Sequence, residues 1–412
     1  MLILENATLV HLHSGGTSQG HHIVVDGGLI KEIADRPISS SAERIDLQGQ
    51  WVLPGFIDAH FHATLTEMNP AQSRELPPTL VTARAGTLLR NALMRGFTTV
   101  RDMCGADWGL RTATEEGTLL GPRMFIAGRA LSQTGGHGDF RRRTEHDEGC
   151  NCSNALAYMS VVADGVAGVQ CAAREQLRQG VDHLKVFVSG GVTSPNDPLM
   201  SAQYTDEELR AVVHEARSWS TYVAAHAYTA ASISRAVAAG VCTIEHGNLL
   251  DANAAALMAE HHAYLVPTLV TYEAMHKKGA ALGMSTFNLD KLGAVLEAGM
   301  RSIELALVAG APVGFGTDLL GDLHEFQSDE FLIRGRVQKP HEVIRAATEV
   351  NADILGQAGK LGVIAPGAFA DIVVCRSNPL KNLEVLRGQG EGLSLIMKGG
   401  RVVKHVAPER LR

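Results

Sequence analysis

The sequence predicts an α/β protein: a barrel of eight parallel strands with crossover helices, the (β/α)8 or TIM barrel, and a small β-sandwich domain built from both termini. Short apolar runs alternate with helical patterns through the middle of the chain, over residues 54–365. Turn-rich strand patterns occupy both ends, 1–53 and 366–412. A length of 412 residues accommodates one large barrel and one small domain.

The middle of the chain contains eight apolar runs that we interpret as the barrel strands. They are 56–60, 98–101, 124–127, 183–188, 222–226, 242–246, 264–267 and 312–316. Stretches of helical period lie between most of them, and the clearest are 80–95, 206–218 and 230–239. Parallel strands joined by helices close into a barrel. About 55 residues separate the third run from the fourth, and we expect this insertion to cover the active site.

The two ends of the chain share a texture of short strands and glycine turns. The N-terminal strands are predicted at 1–12, 22–25 and 29–33, and the C-terminal strands at 370–375, 393–397 and 401–404. Because similar elements flank a different middle, we expect both ends to form one small β domain.

Composition excludes several classes of function. The net charge of −7 comes from mixed acidic and basic residues, and no basic tract indicates nucleic-acid binding. We expect no membrane span, since no apolar stretch is long enough, and no signal peptide, since the first residues lack a basic region. Of the six cysteines only Cys150 and Cys152 are close together, and we expect free thiols in a reducing cytoplasm.

The motif His60-Phe61-His62 ends the first apolar run. Strand alternation puts both imidazoles on one face, and the C-terminal end of a barrel strand is where chemistry is placed. A second pair, His11-Leu12-His13, lies in the N-terminal strand and is interpreted as incidental.

The other candidate ligands also fall at strand ends. His226 and His246 end the fifth and sixth runs, and Asp318 follows the eighth. Four histidines and a carboxylate would therefore meet at one barrel mouth. Imidazole and oxygen ligands favour Zn²⁺, with Mn²⁺, Co²⁺ or Fe²⁺ as alternatives, and the cysteines fall outside this set.

Lys185 lies inside the apolar fourth run. A lysine there is costly unless its charge is paired or removed. One solution is reaction of the neutral amine with CO₂, because the resulting carbamate can bridge two cations. The alternative is a lysine that extends its amine to the barrel mouth.

These residues together resemble the amidohydrolase superfamily. Pro54-Gly55-Phe56-Ile57-Asp58-Ala59-His60-Phe61-His62 is similar to its PGxIDxHxH signature, and Gly367-Ala368-Phe369-Ala370-Asp371-Ile372-Val373-Val374 to its GxxADxVV strand. The segments around Lys185 and His226-Ala227-Tyr228 resemble the branch of imidazolonepropionase-like proteins and metal-dependent prolidases. Imidazolonepropionases use one metal and lack the bridging lysine, so Lys185 favours the binuclear prolidase-like group. The resemblance spans essentially the whole chain.

The resemblance implies a binuclear amide hydrolase. His60, His62 and Asp318 would hold one divalent metal, His226 and His246 the other, and carbamylated Lys185 would bridge them. A metal-bridging hydroxide would cleave Xaa-Pro dipeptides or N-acyl amino acids, and Asp318 would be first base and then acid. Some relatives prefer C-terminal Arg or Lys. A homo-oligomer is expected by the same analogy.

Further residues are candidates for substrate binding. Tyr228 lies two residues after His226 on the same strand face, and His137 lies in a glycine-flanked loop after the third run. A barrel-rim packing tyrosine and a solvated loop histidine are the alternatives. Arg141, Arg142 and Arg143 would bind a substrate carboxylate or form a solvated or subunit-contact face. Cys104 is interpreted as barrel packing.

The residues leave other functions open. Hydrolysis of a cyclic amide, a lactone or a phosphotriester would use the same ligands, because specificity lies in the loops. A non-catalytic scaffold and a metal-buffering protein are the alternatives outside enzymes. The complete ligand set argues against the scaffold, and a retained base at Asp318 argues weakly against the buffer.

Overall fold

The computed structural model describes residues 1–73, 75–141, 159–194 and 196–406. In these ranges the strands are β1 Leu2–His11, β2 Gly16–Asp26, β3 Leu29–Ala34, β4 Glu43–Asp46, β5 Trp51–Pro54, β6 Phe56–Phe61, β7 Phe97–Asp102, β8 Arg123–Ile126, β9 Ala130–Ser132, β10 Ser160–Val162, β11 Leu184–Phe187, β12 Val223–Thr229, β13 Thr243–Leu249, β14 Tyr264–Val266, β15 Ile372–Cys375, β16 Leu393–Lys398 and β17 Arg401–His405.

The α-helices in the same ranges are α1 Pro70–Ser73, α2 Pro78–Met94, α3 Trp108–Glu115, α4 Gly165–Arg178, α5 Asp206–Ser218, α6 Ala230–Ala239, α7 Ala252–Glu260, α8 Leu269–Lys278, α9 Thr286–Leu296, α10 Ala298–Ala309, α11 Asp329–Arg334, α12 Pro340–Arg345 and α13 Asn351–Ile354. Short 3-10 helices lie at Gly321–Phe326 and Leu383–Leu386, and one π-helical turn at Ala346–Val350. No helix of the described ranges is both long and apolar enough to cross a membrane.

Strands from both termini form one sheet with its own core. Its order is β17-β16-β15-β5-β1-β2-β3, and β4 pairs with β1, so that eight strands of the described ranges take part. The amide of Ile30 in β3 donates to Ala368 O, and the amide of Gly367 donates to Ile30 O, so the β3 edge returns towards the start of β15. Leu4, Ile23 and Ile372 are among the buried residues of this sheet's core.

The middle of the chain forms parallel strands alternating with helices. β6, β7 and β8 are neighbours, and β9, β11, β12, β13 and β14 follow in a second sheet edged by β10. The amide of Asp182, two residues before β11, donates to Ile126 O of β8 at 2.8 Å. Residues 312–318 bond to β14 through Leu265 and to β6 through Ala59 and His60, which connects the last strand with the first.

The prediction of a regular strand at 312–316 is wrong. Only an isolated bridge joins Val313 to Leu265 in this segment. The side chain of Asn351 also bonds to this segment: its amide oxygen accepts from Phe315 N at 3.0 Å and its amide nitrogen donates to Phe315 O at 2.7 Å. The other seven barrel runs are strands within a few residues of their predicted bounds.

Several elements follow from local sequence. Helices α5 and α6 have the predicted bounds, 206–218 and 230–239. Thr205 and Glu208 form a capping box at the start of α5. Thr229 ends β12 and caps α6, so the strand that carries His226 and Tyr228 is fixed directly to the helix behind it. Strands β4, β5, β9 and β10, each of three or four residues, were not predicted.

Candidate metal centre and active site

The six side chains predicted as metal ligands line one buried pocket. They are His60, His62, Lys185, His226, His246 and Asp318. His60 lies near the end of β6, His226 in β12 and His246 in β13, and Asp318 follows the segment that joins β14 to β6. The two predicted substrate residues, His137 and Tyr228, line the same pocket.

His60, His62 and Asp318 form a close group of candidate ligands, with ligand atoms within 4.8 Å of one another. Asp318 Oδ1 lies 2.9 Å from His62 Nε2 and 3.2 Å from His60 Nε2. Burial opposes ionisation of Asp318, but the facing imidazoles outweigh it and hold the pKa of this carboxyl well below its ordinary value. Two imidazole nitrogens and an ionised carboxylate are a donor set suited to Zn²⁺.

His226 and His246 form a second group beside the first. Their ring centroids are 4.7 Å apart, and His246 lies 4.9 Å from the ring of His60. Burial lowers the pKa of both histidines well below the ordinary value. The imidazoles are therefore neutral near pH 7, which is the form that binds a metal.

Each of these four histidines has one ring nitrogen bonded to a protein group outside the ligand set. His60 Nδ1 lies 2.8 Å from Glu245, His246 Nδ1 lies 2.8 Å from Thr268 Oγ1, and His226 Nε2 lies 3.0 Å from Gly190 O. His62 Nδ1 is 3.4 Å from Cys104 Sγ. Partners of this kind fix the tautomer and orientation of a ligand histidine and leave its other nitrogen for a cation.

Lys185 is buried in β11, and its Nζ has no hydrogen-bond partner among the described residues. Burial lowers the pKa of its amine to about 8. An orphaned amine of this kind is costly inside a protein unless another group satisfies it. Its place in the pocket of the four histidines and Asp318 fits the role of a bridge between two cations.

A buried ion pair lies behind His60. Glu245 accepts from Arg101 Nη2 at 2.8 Å on one oxygen and contacts His60 Nδ1 through the other, and neither Glu245 nor Arg101 is exposed. Neither residue was predicted from the sequence. The available signal was the presence of charged side chains within the apolar runs of β7 and β13, because such charges are rarely buried without a partner.

Two candidate ligands have left-handed backbone conformations. His246 has φ 72° and Asp318 has φ 51°. Non-glycine residues in this region store strain, which is found most often at functional sites. At His246 the conformation also breaks strand alternation, so Glu245 and His246 both contact His60 although they are adjacent.

The predicted substrate residues have distinct surroundings. His137 stacks on His226 with centroids 4.3 Å apart, and its Nδ1 lies 2.8 Å from Ser194 Oγ. Burial lowers the pKa of His137 to about 3, so it is a neutral imidazole. The Tyr228 hydroxyl lies 3.0 Å from the hydroxyl of Tyr272, which sequence analysis did not single out.

The remaining predicted residues divide between the pocket and its surroundings. Cys104 is buried, as packing predicted; it also lines the pocket, and its Sγ contacts His62 from outside the six predicted ligands. His13 pairs with Glu349 away from the pocket. Arg142, Arg143, Cys150 and Cys152 lie outside the described residues.

Arg141 lines a larger cavity outside the ligand pocket. Its guanidinium pairs with Asp139 at 2.6 Å. The cavity has a volume of about 820 Å³ and shares Pro70 and Thr193 with the ligand pocket. Apolar side chains such as Phe140 and Phe287 contribute to its wall. The ligand pocket therefore shares part of its wall with a wider space that has both apolar and charged walls.

The fold and the pocket lined by histidines and a carboxylate indicate a candidate metal-dependent hydrolase. The model of the amidohydrolase family matches residues 51–403, and the chain belongs to that family. With its prolidase-like structural neighbours, this membership makes the protein a hydrolase of amide bonds. The resemblance found in the sequence motifs is confirmed.

The chain is similar to proteins of several activities. A crystal structure of an amidohydrolase is 47% identical with a TM-score of 0.97, covering 99% of this chain and 100% of that one. A prolidase complexed with N-methylphosphonate-L-proline is 46% identical with a TM-score of 0.96, covering 98% and 100%. An ochratoxinase of Aspergillus niger is 30% identical over 369 residues, covering 86% of this chain and 75% of that protein.

Proposed function

We propose that the protein is a binuclear metal-dependent dipeptidase of the prolidase type, which cleaves Xaa-Pro dipeptides or N-acyl amino acids. The observation that carries the proposal is the buried pocket in which four histidines, Asp318 and the unpartnered amine of Lys185 converge. The 46% identity to a prolidase supports the substrate class. The hydrogen bonds that connect β14 through residues 312–318 to β6 support a closed (β/α)8 barrel, with the pocket at its mouth.

The donor set fits two divalent cations, most simply Zn²⁺. His60, His62 and Asp318 would hold one, and His226 and His246 the other. Lys185, carbamylated by CO₂, would supply one oxygen to each. Cations bound there would lower the pKa of a shared water and polarise the substrate carbonyl.

The protein's own residues would then handle the proton and the substrate. Asp318 Oδ1 faces His60 and His62, while Oδ2 lies 3.9 Å from His246 Nδ1, so the carboxylate reaches both ligand groups. From this position Asp318 would take the proton of the attacking water and deliver it to the leaving nitrogen. Tyr228 and His137 would bind the substrate, and the wider cavity would hold the part remote from the scissile bond.

The test is a hydrolysis screen of zinc-loaded protein prepared with bicarbonate, using dipeptides and N-acyl amino acids. Asp318→Asn is the control: we expect it to retain much of its zinc and to lose turnover by roughly 10²–10⁴-fold or more, because the base is gone. Hydrolysis concentrated on C-terminal proline supports the proposal. If Asp318→Asn kept full activity, Asp318 would not be the base. If the fully zinc-loaded protein hydrolysed none of these substrates, the dipeptidase assignment would be wrong.

A second candidate is hydrolysis of an amide other than a dipeptide. The ochratoxinase relative favours it, since 30% identity over most of the chain is compatible with a shared site and a different substrate. Ochratoxin therefore belongs in the screen, together with substrates ending in Arg or Lys, cyclic amides, lactones and phosphotriesters. A preference among these would keep the site and change the specificity.

A further inference from the structure

A chain of buried hydrogen-bonding groups joins a candidate metal ligand to the candidate substrate residue Tyr228. His246 Nδ1 lies 2.8 Å from Thr268 Oγ1, which lies 3.5 Å from the Tyr272 hydroxyl, which lies 3.0 Å from the Tyr228 hydroxyl. None of the four side chains is more than 3% exposed. The four groups are therefore almost wholly buried, and a hydrogen bond is stronger inside a protein than in water.

When His246 holds a cation, the hydrogen bonds of this series can be donated in only one consistent direction. A neutral imidazole that uses Nε2 as a ligand carries its proton on Nδ1, so His246 donates to Thr268. A hydroxyl has a single proton, so Thr268 then donates to Tyr272, and Tyr272 donates to Tyr228. The hydroxyl proton of Tyr228 then has no acceptor among the other three groups, and it points away from Tyr272.

We propose that Tyr272 is a positioning residue that makes the Tyr228 hydroxyl a hydrogen-bond donor towards the substrate. This inference rests on the proposed function, since it needs a cation on His246 and an acceptor on the substrate. Tyr228 contacts both histidines of the second group, with ring centroids 4.9 Å from His226 and 5.3 Å from His246. A donor beside the cation site suits a developing oxyanion or a substrate carboxylate.

Removal of the Tyr272 hydroxyl would leave the Tyr228 proton free to rotate. Tyr228→Phe removes the donor itself, and we expect kcat/KM to fall by about 10²-fold, as for the loss of one oxyanion donor. For Tyr272→Phe we expect a smaller loss, about 10-fold, because the donor remains but is no longer oriented. Since Tyr272 acts only through Tyr228, the double variant should match Tyr228→Phe alone.

The experiment is this double-variant cycle on zinc-loaded protein, measured twice. One readout is kcat/KM on the best substrate, and the other is the Kd of N-methylphosphonate-L-proline by calorimetry, which needs no turnover. Thermal unfolding and zinc content of each variant show whether the fold and the centre are intact. Equal values for the double variant and Tyr228→Phe support the inference. Multiplied losses, or a Tyr272→Phe protein equal to wild type, overturn it.

Thr268 gives an independent variant if Tyr272→Phe does not fold. Thr268→Val interrupts the chain next to His246, whereas Thr268→Ser keeps the hydroxyl and is the matched control. We expect Thr268→Val to weaken zinc retention against a chelator and to reproduce the Tyr272→Phe loss in Kd, and Thr268→Ser to restore both. Equal behaviour of the two variants overturns the inference. If wild-type protein neither hydrolyses an amide nor binds the phosphonate, the proposed function is wrong. That result is distinct from the variant results, which test only the role of Tyr272.

Discussion

Glu245 lies 2.8 Å from His60 Nδ1, and both side chains are buried. A carboxylate at this distance holds the proton on Nδ1 and leaves Nε2 for a cation. Burial opposes ionisation of Glu245, but Arg101 and His60 outweigh it and lower the pKa of this carboxyl below its ordinary value. The negative charge behind His60 is therefore present throughout the physiological pH range.

Glu245→Gln should weaken zinc binding by about 10–100-fold, the usual effect of losing a carboxylate behind a ligand histidine. Competition with a chromogenic chelator measures the affinity. The control is Glu215→Gln, which removes a buried carboxylate of helix α5 that pairs with Arg174 of helix α4. Equal zinc affinity in the Glu245 variant and the control would contradict the role of Glu245.

Lys185→Ala should abolish the proposed carbamate and lower the zinc content from two ions to one or none per chain. Carbon-13 bicarbonate should give a carbamate resonance in wild-type protein that is absent from this variant. Lys398→Ala is the matched control: burial lowers the pKa of Lys398 to about 8 as well, but its amine donates to Gly121 O at 2.7 Å. A resonance that survives in Lys185→Ala would show that this lysine is not the site.

Glu330 makes stability depend on pH. It is fully buried, its Oε2 accepts from Val270 N at 2.7 Å, and burial raises its pKa from 4.5 to about 8. Between those pH values the unfolded chain loses a proton that the folded protein keeps, so unfolding becomes easier as pH rises. The stability linked to this proton is complete below about pH 4.5 and is lost as pH rises through about 8.

Glu330→Gln should therefore gain stability over wild type as pH rises, because the amide cannot ionise. Urea unfolding between about pH 5 and 9 gives the difference in free energy at each pH. The same change at the exposed Glu325, which pairs with Lys278, is the control. If the difference in unfolding free energy between Glu330→Gln and wild type did not change with pH, the side chain of Glu330 would not be protonated in the folded protein.

Gly316→Ala should damage both the fold and the metal centre. A Cβ at Gly316 would lie 2.6 Å from Val266 Cγ1 and 2.7 Å from His60 Cβ, so the new methyl would displace a ligand strand. We expect a loss of about 1–3 kcal/mol in unfolding free energy, the usual cost of overpacking. Thermal unfolding and zinc content are the measurements.

Gly293→Ala is the control for that experiment. Gly293 lies within helix α9, and apart from its chain neighbours and the backbone of its own helix, no heavy atom of the described residues lies within 4 Å of the Cβ position. Alanine is the better helix former by about 0.5–1 kcal/mol, so this variant should be slightly more stable than wild type. A Gly316→Ala protein as stable and as rich in zinc as Gly293→Ala would show that the β6 contact tolerates a methyl.

The predictability of each element depended on the range of the interactions that form it. Helices α5 and α6 were predicted to the residue, because their periodicity and caps lie within the segments themselves. The segment 312–316 was predicted as a strand and is not a regular one, and the amide of Phe315 in it donates to the side chain of Asn351. That contact joins residues 36 positions apart.

The candidate ligands were predictable for a simple reason. His60, His226 and His246 each follow a run of apolar residues, and parallel strands bring such ends to one mouth. Glu245 was not predicted, because regular alternation places it opposite its neighbour His246, and the positive φ of His246 cancels that rule. Thr268 and Tyr272 were missed because they lie beyond the strand ends, on and beside helix α8.

The sequence by itself determined the family, the candidate ligands and the order in which they occur along the chain, because each is encoded in a short local pattern. Only the tertiary structure decided which nitrogen of each imidazole bonds to the protein. Glu245, Thr268, Gly190 and Cys104 settle that choice from other segments of the chain. The tautomer of a histidine depends on the partner of its second nitrogen, and a local pattern does not specify which distant residue will occupy that position.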